Sequence, residues 1–308
     1  MNETERQLTE VLAQVDDWQG RSVEYTPVTG GITNPNFLVT VDDREFFLKI
    51  PGRGTDAFID RDNCHAANRI AADAGIGPPT AYYFPDSGIE IVEWLAGYRT
   101  MTFGDVYEPE IFLKSADLIR AFHSHTGERL PLTQTAFEQT FAMLRRAREL
   151  NMYLPPEIRR MDDLSHQIEE AVAQGGIEYR PSHNDYYCNN IMVNDETGAL
   201  KLIDFEYASM NDPCYDMGVY SGANYFTEEM DIAFIERYYG DWNPDSFARL
   251  KLYKILADIK WSMWSLVQHR TSAVRFDYMN WFGTKMARLR GNFLDPRIDY
   301  WLHLVASG

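Results

Sequence analysis

Short runs rich in β-branched and aromatic residues mark the first hundred positions, and apolar residues recur at helical spacing from about Tyr98 onward. After an opening helix, "RSVEYTPV", "NFLVTV" and "EFFLKI" read as strands, the last two joined by the turn "DDR", which predicts a small antiparallel sheet. "IDRDNCHAANRIAADAG" follows as a helix ending at Gly75, and "PTAYYF" and "GIEIVEW" give two more strands around the turn "PDSG". Periodic segments at residues 110–125, 137–150, 156–174, 247–269 and 276–291 then predict long helices. Residues 179–207 interrupt them, because the apolar runs "NIMV" and "LKLIDF" flank "NDETG" as a hairpin does. The expected architecture is α+β and bilobal: a small β lobe over residues 1–95 and a large, mainly helical lobe over residues 96–308. The polar hairpin stands at an interlobe cleft, where ligands sit.

With 308 residues and 45% hydrophobic content, the chain can bury cores in both lobes. A formal charge of −17 serves solubility first, and it also argues against nucleic acid or an anionic membrane as partner while favouring a cationic ligand. Cys64, Cys188 and Cys214 have no C-x-x-C spacing, so neither a disulfide framework nor a thiolate zinc site is expected. The N-terminal "MNETERQLTEVLAQV" is charged and helix-patterned, and no stretch of eighteen apolar residues occurs, which predicts a cytoplasmic protein without a membrane span.

The chemistry is concentrated in "HNDYYCNNIM", where Asp185 and Asn190 are five residues apart, and in "LIDFEYA", where Asp204 lies at the other end of the predicted hairpin. Any one of these residues could cap a turn. Together they supply hard oxygen ligands for Mg²⁺, which is held by one or two carboxylates plus substrate phosphates, and a separate carboxylate for the attacking hydroxyl. Asp185 is expected to be that carboxylate, with Asn190 and Asp204 on the metal. The Asp185-to-Asn190 spacing equals that of the protein-kinase catalytic loop, and Asp204 begins a D-F-x tripeptide.

Over nearly its whole length the chain resembles the choline and ethanolamine kinases, within the aminoglycoside-phosphotransferase-like branch of the protein-kinase-like fold. "GGITNPNFLV", "HNDYYCNNIM" and "IDFEYA" carry the resemblance to small-molecule kinases, and "WSMWSLVQ" with "FDYMNW" narrows it to the choline-kinase group. The resemblance implies ATP and Mg²⁺ as cofactors. It places Gly30 and Gly31 at the phosphates, with Thr33 and Asn34 as further donors and Lys49 against the α- and β-phosphates. "IVEWLAG" takes the hinge position, so backbone groups of Glu93 and Leu95 are expected to meet the adenine edge.

One departure stands out. The glutamate that pairs with this lysine in kinases is missing, its position falling at or beside Cys64, so Asp60 or Asp62 is the expected surrogate and a pseudokinase is the rival reading. On the acceptor side, Trp261, Trp264 and Gln268 share one helix face, and Tyr278 and Trp281 repeat the pattern on the next helix. Such rings suit a quaternary ammonium, which makes no hydrogen bonds and binds through cation–π contacts. Tyr207 joins this acceptor set; Glu206 is assigned to it as well, with a supporting role at the metal left open. His183 is expected to orient the loop, and Asp216 to hold it. The expected function is phosphorylation of choline or a close amino alcohol, with ethanolamine, thiamine and aminoglycosides as alternative acceptors and a homodimer left open.

Overall fold

The computed structural model describes residues 3–28, 34–52, 59–127, 129–272 and 274–308. Gly30, Gly31 and Thr33, expected at the nucleotide phosphates, lie outside the described residues. Helix α1 (Glu3–Ala13) precedes strands β1 (Val23–Val28), β2 (Asn36–Val41) and β3 (Arg44–Lys49), which are followed by α2 (Arg61–Asp73), β4 (Thr80–Phe84) and β5 (Ile89–Glu93). The strands form one antiparallel sheet in the order β1-β2-β3-β5-β4. Strand period decides which side chain goes where: Phe46 and Leu48 are buried with Val39, Ile91, and Leu8 and Val11 of α1, while Phe47 and Lys49 face the other way, into the cleft. Lys49 pairs in register with Asn36 on one side and Glu90 on the other. Asp60 N-caps α2 by accepting from the Asn63 N–H, and the chain leaves the helix through Gly75 at φ +70°. Ala67, Ile70 and Ala71 of α2 belong to the larger of the two cores.

The second lobe contains β6 (Tyr98–Thr100), α3 (Pro109–His123), α4 (Ala136–Glu149) and α5 (Ile158–Gly175), then β7 (Arg180–Ser182), β8 (Ile191–Asn194), β9 (Leu200–Leu202) and β10 (Ser209–Asn211). It closes with α6 (Pro213–Ala223), α7 (Glu228–Tyr239), α8 (Pro244–Thr271), α9 (Tyr278–Asn292) and α10 (Ile298–Ser307). The predicted hairpin is β8–β9, extended by β6 into three strands, and β7 pairs with β10 beneath it. The 28-residue α8 is the lobe's axis: every residue from Ser246 to Val267 except Lys251 is buried, with α4, α6, α9 and α10 packed around it. Its approach to α6 is close, since a Cβ on Gly218 would stand 2.8 Å from the Tyr253 Cβ and 2.9 Å from the Lys254 nitrogen.

Helices α6, α7 and α10 were not expected from periodicity. For α6 the reason is physical, because every residue from Pro213 to Gly222 is buried and a helix covered on all sides carries no polar stripe. Among the described residues no helix is long and apolar enough to cross a membrane.

Candidate active site

The loop between β7 and β8 carries Asp185, and three buried groups fix its shape. Asp216, fully buried on α6, accepts the backbone N–H groups of His183 at 2.7 Å and Asn184 at 2.6 Å, and His123 Nε2 at 2.9 Å. His183 Nε2 donates to the Ile203 carbonyl at 2.9 Å and its Nδ1 accepts from the Asp185 N–H at 3.3 Å, so the ring is a neutral tautomer whose pKa burial pushes down. Asn184 holds φ +62°, a left-handed conformation that Asn tolerates, and its amide donates to the Tyr207 carbonyl and the Ser209 hydroxyl. The loop is thereby tied to the segment following Asp204.

β8 and β9 bring the two expected metal ligands to the same end of the hairpin, where the Ile203 N–H donates to the Asn190 carbonyl at 3.0 Å. Asn190 Nδ2 donates to the Asp185 carbonyl at 2.9 Å and to its carboxylate at 3.0 Å, which turns the Asn190 Oδ1 away from Asp185. Asp204 follows at φ +67°, a second left-handed residue in the site. Burial pushes the pKa of Asp185 upward, with Lys260 pulling against it and Asp204 adding to the rise.

Lys49 finds partners that the sequence did not suggest. Its ammonium is 2.6 Å from Asp204 and 3.3 Å from Glu206. Burial opposes that charge, but Asp204 and then Glu206 outweigh it and raise the lysine pKa. Neither expected surrogate takes part: Asp60 is spent on capping α2, and Asp62 accepts the Tyr83 hydroxyl at 2.6 Å. Cys64 does line the cleft with Lys49, as the register implied, but burial and then Glu206 push its thiol up to about 12, so it is a neutral neighbour and not a charge partner. Glu206, assigned to the acceptor with a role at the metal left open, is instead bound on the nucleotide side by Lys49, by Arg61 at 3.2 Å and by the Asn34 amide at 2.7 Å. Asn34 also accepts the Gly52 N–H at 2.8 Å. Glu206 thus joins β3, α2 and the segment entering β2, three parts of the small lobe, to the D-F-E segment of the large one.

Two outcomes follow from this arrangement. Asp60→Asn, which preserves the cap, and Asp62→Asn should both leave kcat/KM within about twofold of wild type. Glu206→Gln, which removes a charge-assisted partner from Lys49, should lower it about tenfold. Nucleotide-dependent kinetics on the three variants check this, and a drop confined to Asp62→Asn would restore the sequence-based pairing.

Lys49, Arg61, Asp185, Asn190, Asp204 and Glu206 line one cleft of about 1000 Å³ between the lobes. Glu93 and Leu95 are on its wall; the Glu93 N–H is donated to the Pro79 carbonyl at 2.9 Å and its carboxylate pairs with Arg44. At the opposite end Tyr207, Trp261, Trp264 and Trp281 line the cleft together with Asp185 and Tyr187. Trp264 Nε1 donates to the Tyr207 hydroxyl at 3.0 Å, and the Trp261 and Trp264 rings meet edge to face at 5.7 Å. Gln268 and Tyr278, expected with them, are not on the cleft wall. Tyr278 is buried behind Trp264, its hydroxyl donating to Ser272, and Gln268 sits a turn beyond, where its carbonyl accepts the Ser272 N–H.

Sequence reasoning missed the cations of this end. Lys260, 1% exposed, donates to Gln139 at 2.6 Å and lies 4.3 Å over the Trp261 ring and 4.8 Å over the Tyr207 ring. Lys285 lies 4.5 Å over Trp281, and Arg288 lies 5.0 Å over Tyr225 while holding Asp258 through Nε at 3.1 Å. Their one sequence signal is i, i+4 spacing from Trp281 to Lys285, which a surface helix shows just as often.

The choline/ethanolamine kinase family sequence profile matches residues 25–241. A probable ethanolamine kinase of Arabidopsis thaliana is 27% identical over 83% of this chain and 75% of its own length. A probable choline kinase 2 of the same plant is 24% identical over 90% and 89%. Among solved structures, a choline/ethanolamine kinase family protein from Mesorhizobium loti superposes with a TM-score of 0.82 at 24% identity, covering 99% of both chains. A LicA structure in complex with AMP gives 0.76 at 22% identity, covering 95% of this chain and 100% of its own. These neighbours share the bilobal protein-kinase-like fold found here, and the family profile spans the small sheet, the Asp185 loop and the D-F-E segment. The chain belongs to the choline/ethanolamine kinase family, phosphotransferases that act on an alcohol group.

Proposed function

We propose that the protein transfers the γ-phosphoryl group of ATP to the hydroxyl of choline in a Mg²⁺-dependent reaction. The observation that carries the choice of acceptor is the composition of the cleft beyond Asp185. Its walls are the rings of Tyr207, Trp261, Trp264 and Trp281, and the further carboxylate at that end, Asp258, is held by Arg288. A trimethylammonium needs ring faces and no acceptors, whereas the primary ammonium of ethanolamine has three N–H donors to satisfy, and the carboxylate of Asp258 is already taken by Arg288.

The donor set fits a hard divalent cation. Asn190 Oδ1 and the Asp204 carboxylate are oxygen ligands at one edge of the cleft, and among the described residues no three His, Cys, Asp or Glu side chains cluster to form a dedicated cage. Asn190 and Asp204 would hold a Mg²⁺ ion together with nucleotide phosphates, and the ion would supply charge neutralisation there. Lys49 holds the phosphates, and the Glu93 carbonyl and Leu95 backbone orient adenine. Asp185 receives the proton of the acceptor hydroxyl and keeps that oxygen in line. The pairing of Lys49 with both Asp204 and Glu206 supplies the acidic support whose apparent lack had raised the rival pseudokinase reading.

Trp264 is the sensitive ring, because Lys260 covers a face of Trp261 and of Tyr207 and Lys285 covers one of Trp281, while no cation of the described residues lies over Trp264. It is also 6% exposed, so Trp264→Ala would open a cavity costing about 3–5 kcal/mol. Trp264→Leu keeps apolar bulk and removes the π face. The expected result is a choline KM raised about tenfold, kcat little changed, and a narrowed choline-to-ethanolamine ratio of kcat/KM. An ADP-release assay on both alcohols measures this. If wild type prefers ethanolamine, the choline assignment is wrong.

A further inference from the structure

Among the described residues five cations line the cleft: Lys49, Arg61, Arg99, Lys285 and Arg288. Four are matched by carboxylates, Lys49 by Asp204, Arg61 by Glu206, Arg99 by Asp105 and Asp195, and Arg288 by Asp258. Lys285 is the exception among the described residues: its ammonium has neither an ion pair nor a hydrogen bond and rests over the Trp281 ring. Burial, and then Arg288, push its pKa down to about 8, while Asp258 and Asp185 act the other way. Its presence is at odds with a pocket that only had to bind a cationic alcohol, since a second positive charge repels the acceptor. An unmatched ammonium in the cleft that also holds Asp185 is explained by an anion that arrives during the reaction.

We propose that Lys285 is a catalytic residue that binds the transferred phosphoryl group, meeting its oxygens as the group reaches the acceptor hydroxyl and then holding the phosphomonoester product. The acceptor oxygen forms the new P–O bond as the bond from the γ-phosphorus to the β–γ bridging oxygen breaks. ADP leaves with that electron pair, and Asp185 takes the hydroxyl proton. The phosphoryl group thereby moves from the Lys49 side of the cleft to the Lys285 side, and its charge finds a partner at each end. The lysine lies on α9 with Trp281, so one helix presents a ring for the ammonium and a cation for the phosphate of the same product.

This inference rests on the kinase reading above, and the test separates the two. Lys285→Met keeps the apolar stem over Trp281, and Lys285→Arg keeps the charge. Calorimetric titration with phosphocholine and with phosphoethanolamine needs no turnover; Lys285→Met is expected to weaken both about tenfold or more, with Lys285→Arg restoring most of the loss. In turnover, kcat of Lys285→Met should fall about a hundredfold while the choline KM stays level or drops, because a repelling charge has gone. Unchanged phosphomonoester binding in Lys285→Met overturns the proposal, as does failure of wild type to bind either phosphomonoester. A raised choline KM with unchanged kcat overturns it too, assigning the lysine to the acceptor. Wild type that turns over neither alcohol sinks the acceptor assignment, and phosphomonoester binding then decides on Lys285 separately.

Discussion

Asp185→Asn is expected to lower kcat by about 10²–10⁴ and to leave the nucleotide Kd within about twofold of wild type. Asn preserves the shape of the side chain and can still meet Asn190, but it cannot take the hydroxyl proton, and its amide would present N–H groups where the acceptor O–H must donate. Folding should be spared. The loop is shaped by Asp216, His183 and Asn184 rather than by Asp185, and burial already works against the charge at this position, so a neutral isostere removes an unfavourable desolvation. The melting temperature should therefore stay within about 2–4 °C. ADP release under saturating choline and nucleotide, together with thermal unfolding of both proteins, measures the two effects. A variant that keeps near-normal kcat would show that some other group takes the proton.

How far the sequence could be read depended on where each residue's partners come from. Strands β2 and β3 were legible because Phe37, Val39, Phe46 and Leu48 mark a buried face within the strand itself. Helices α3, α4, α5, α8 and α9 lie within about three residues of their expected ends, since caps such as Thr135 with Glu138 and Asn243 are local signals. α6 was lost because burial on all sides erases its period.

The same division holds in the site. Asp185, Asn190 and Asp204 were found from their spacing, and the structure brings them to one edge of one cleft. The absent helix glutamate was also legible. What replaces it was not, because Glu206 stands 157 positions beyond Lys49 and reaches it only through the docking of the two lobes. The left-handed backbone at Asn184 and Asp204 has no signal at all in a one-dimensional pattern. Gln268 and Tyr278 failed for the opposite reason: helical spacing puts residues on a common face, but a face a few turns long extends past the cleft, leaving Gln268 half-buried beyond it and Tyr278 packed inside the protein.

On the proposed mechanism Asp204 would carry two duties, and its replacement should expose both. It holds Lys49 at 2.6 Å, and as the proposed metal ligand it would turn its charge from the ammonium towards the cation when Mg-ATP binds. Glu206, at 3.3 Å, is then the carboxylate that keeps Lys49 in place. The choice of variant matters: at φ +67° an alanine would be strained by about 1–2 kcal/mol, whereas Asn tolerates the left-handed region, so Asp204→Asn removes the charge without deforming the segment. Asp204→Asn is expected to lower kcat/KM for Mg-ATP by about 10³ and to shift the Mg²⁺ concentration for half-maximal rate upward by about tenfold or more, because a neutral amide oxygen is a weaker ligand than a carboxylate. Binding of metal-free nucleotide should survive, since Lys49 keeps its ammonium and Glu206 its grip. Choline affinity measured without nucleotide should change little, because the rings stand at the other end of the cleft. Titration of rate against Mg²⁺ for both proteins decides the point; an unaltered metal dependence would remove Asp204 from the metal and leave it as a partner of Lys49 alone.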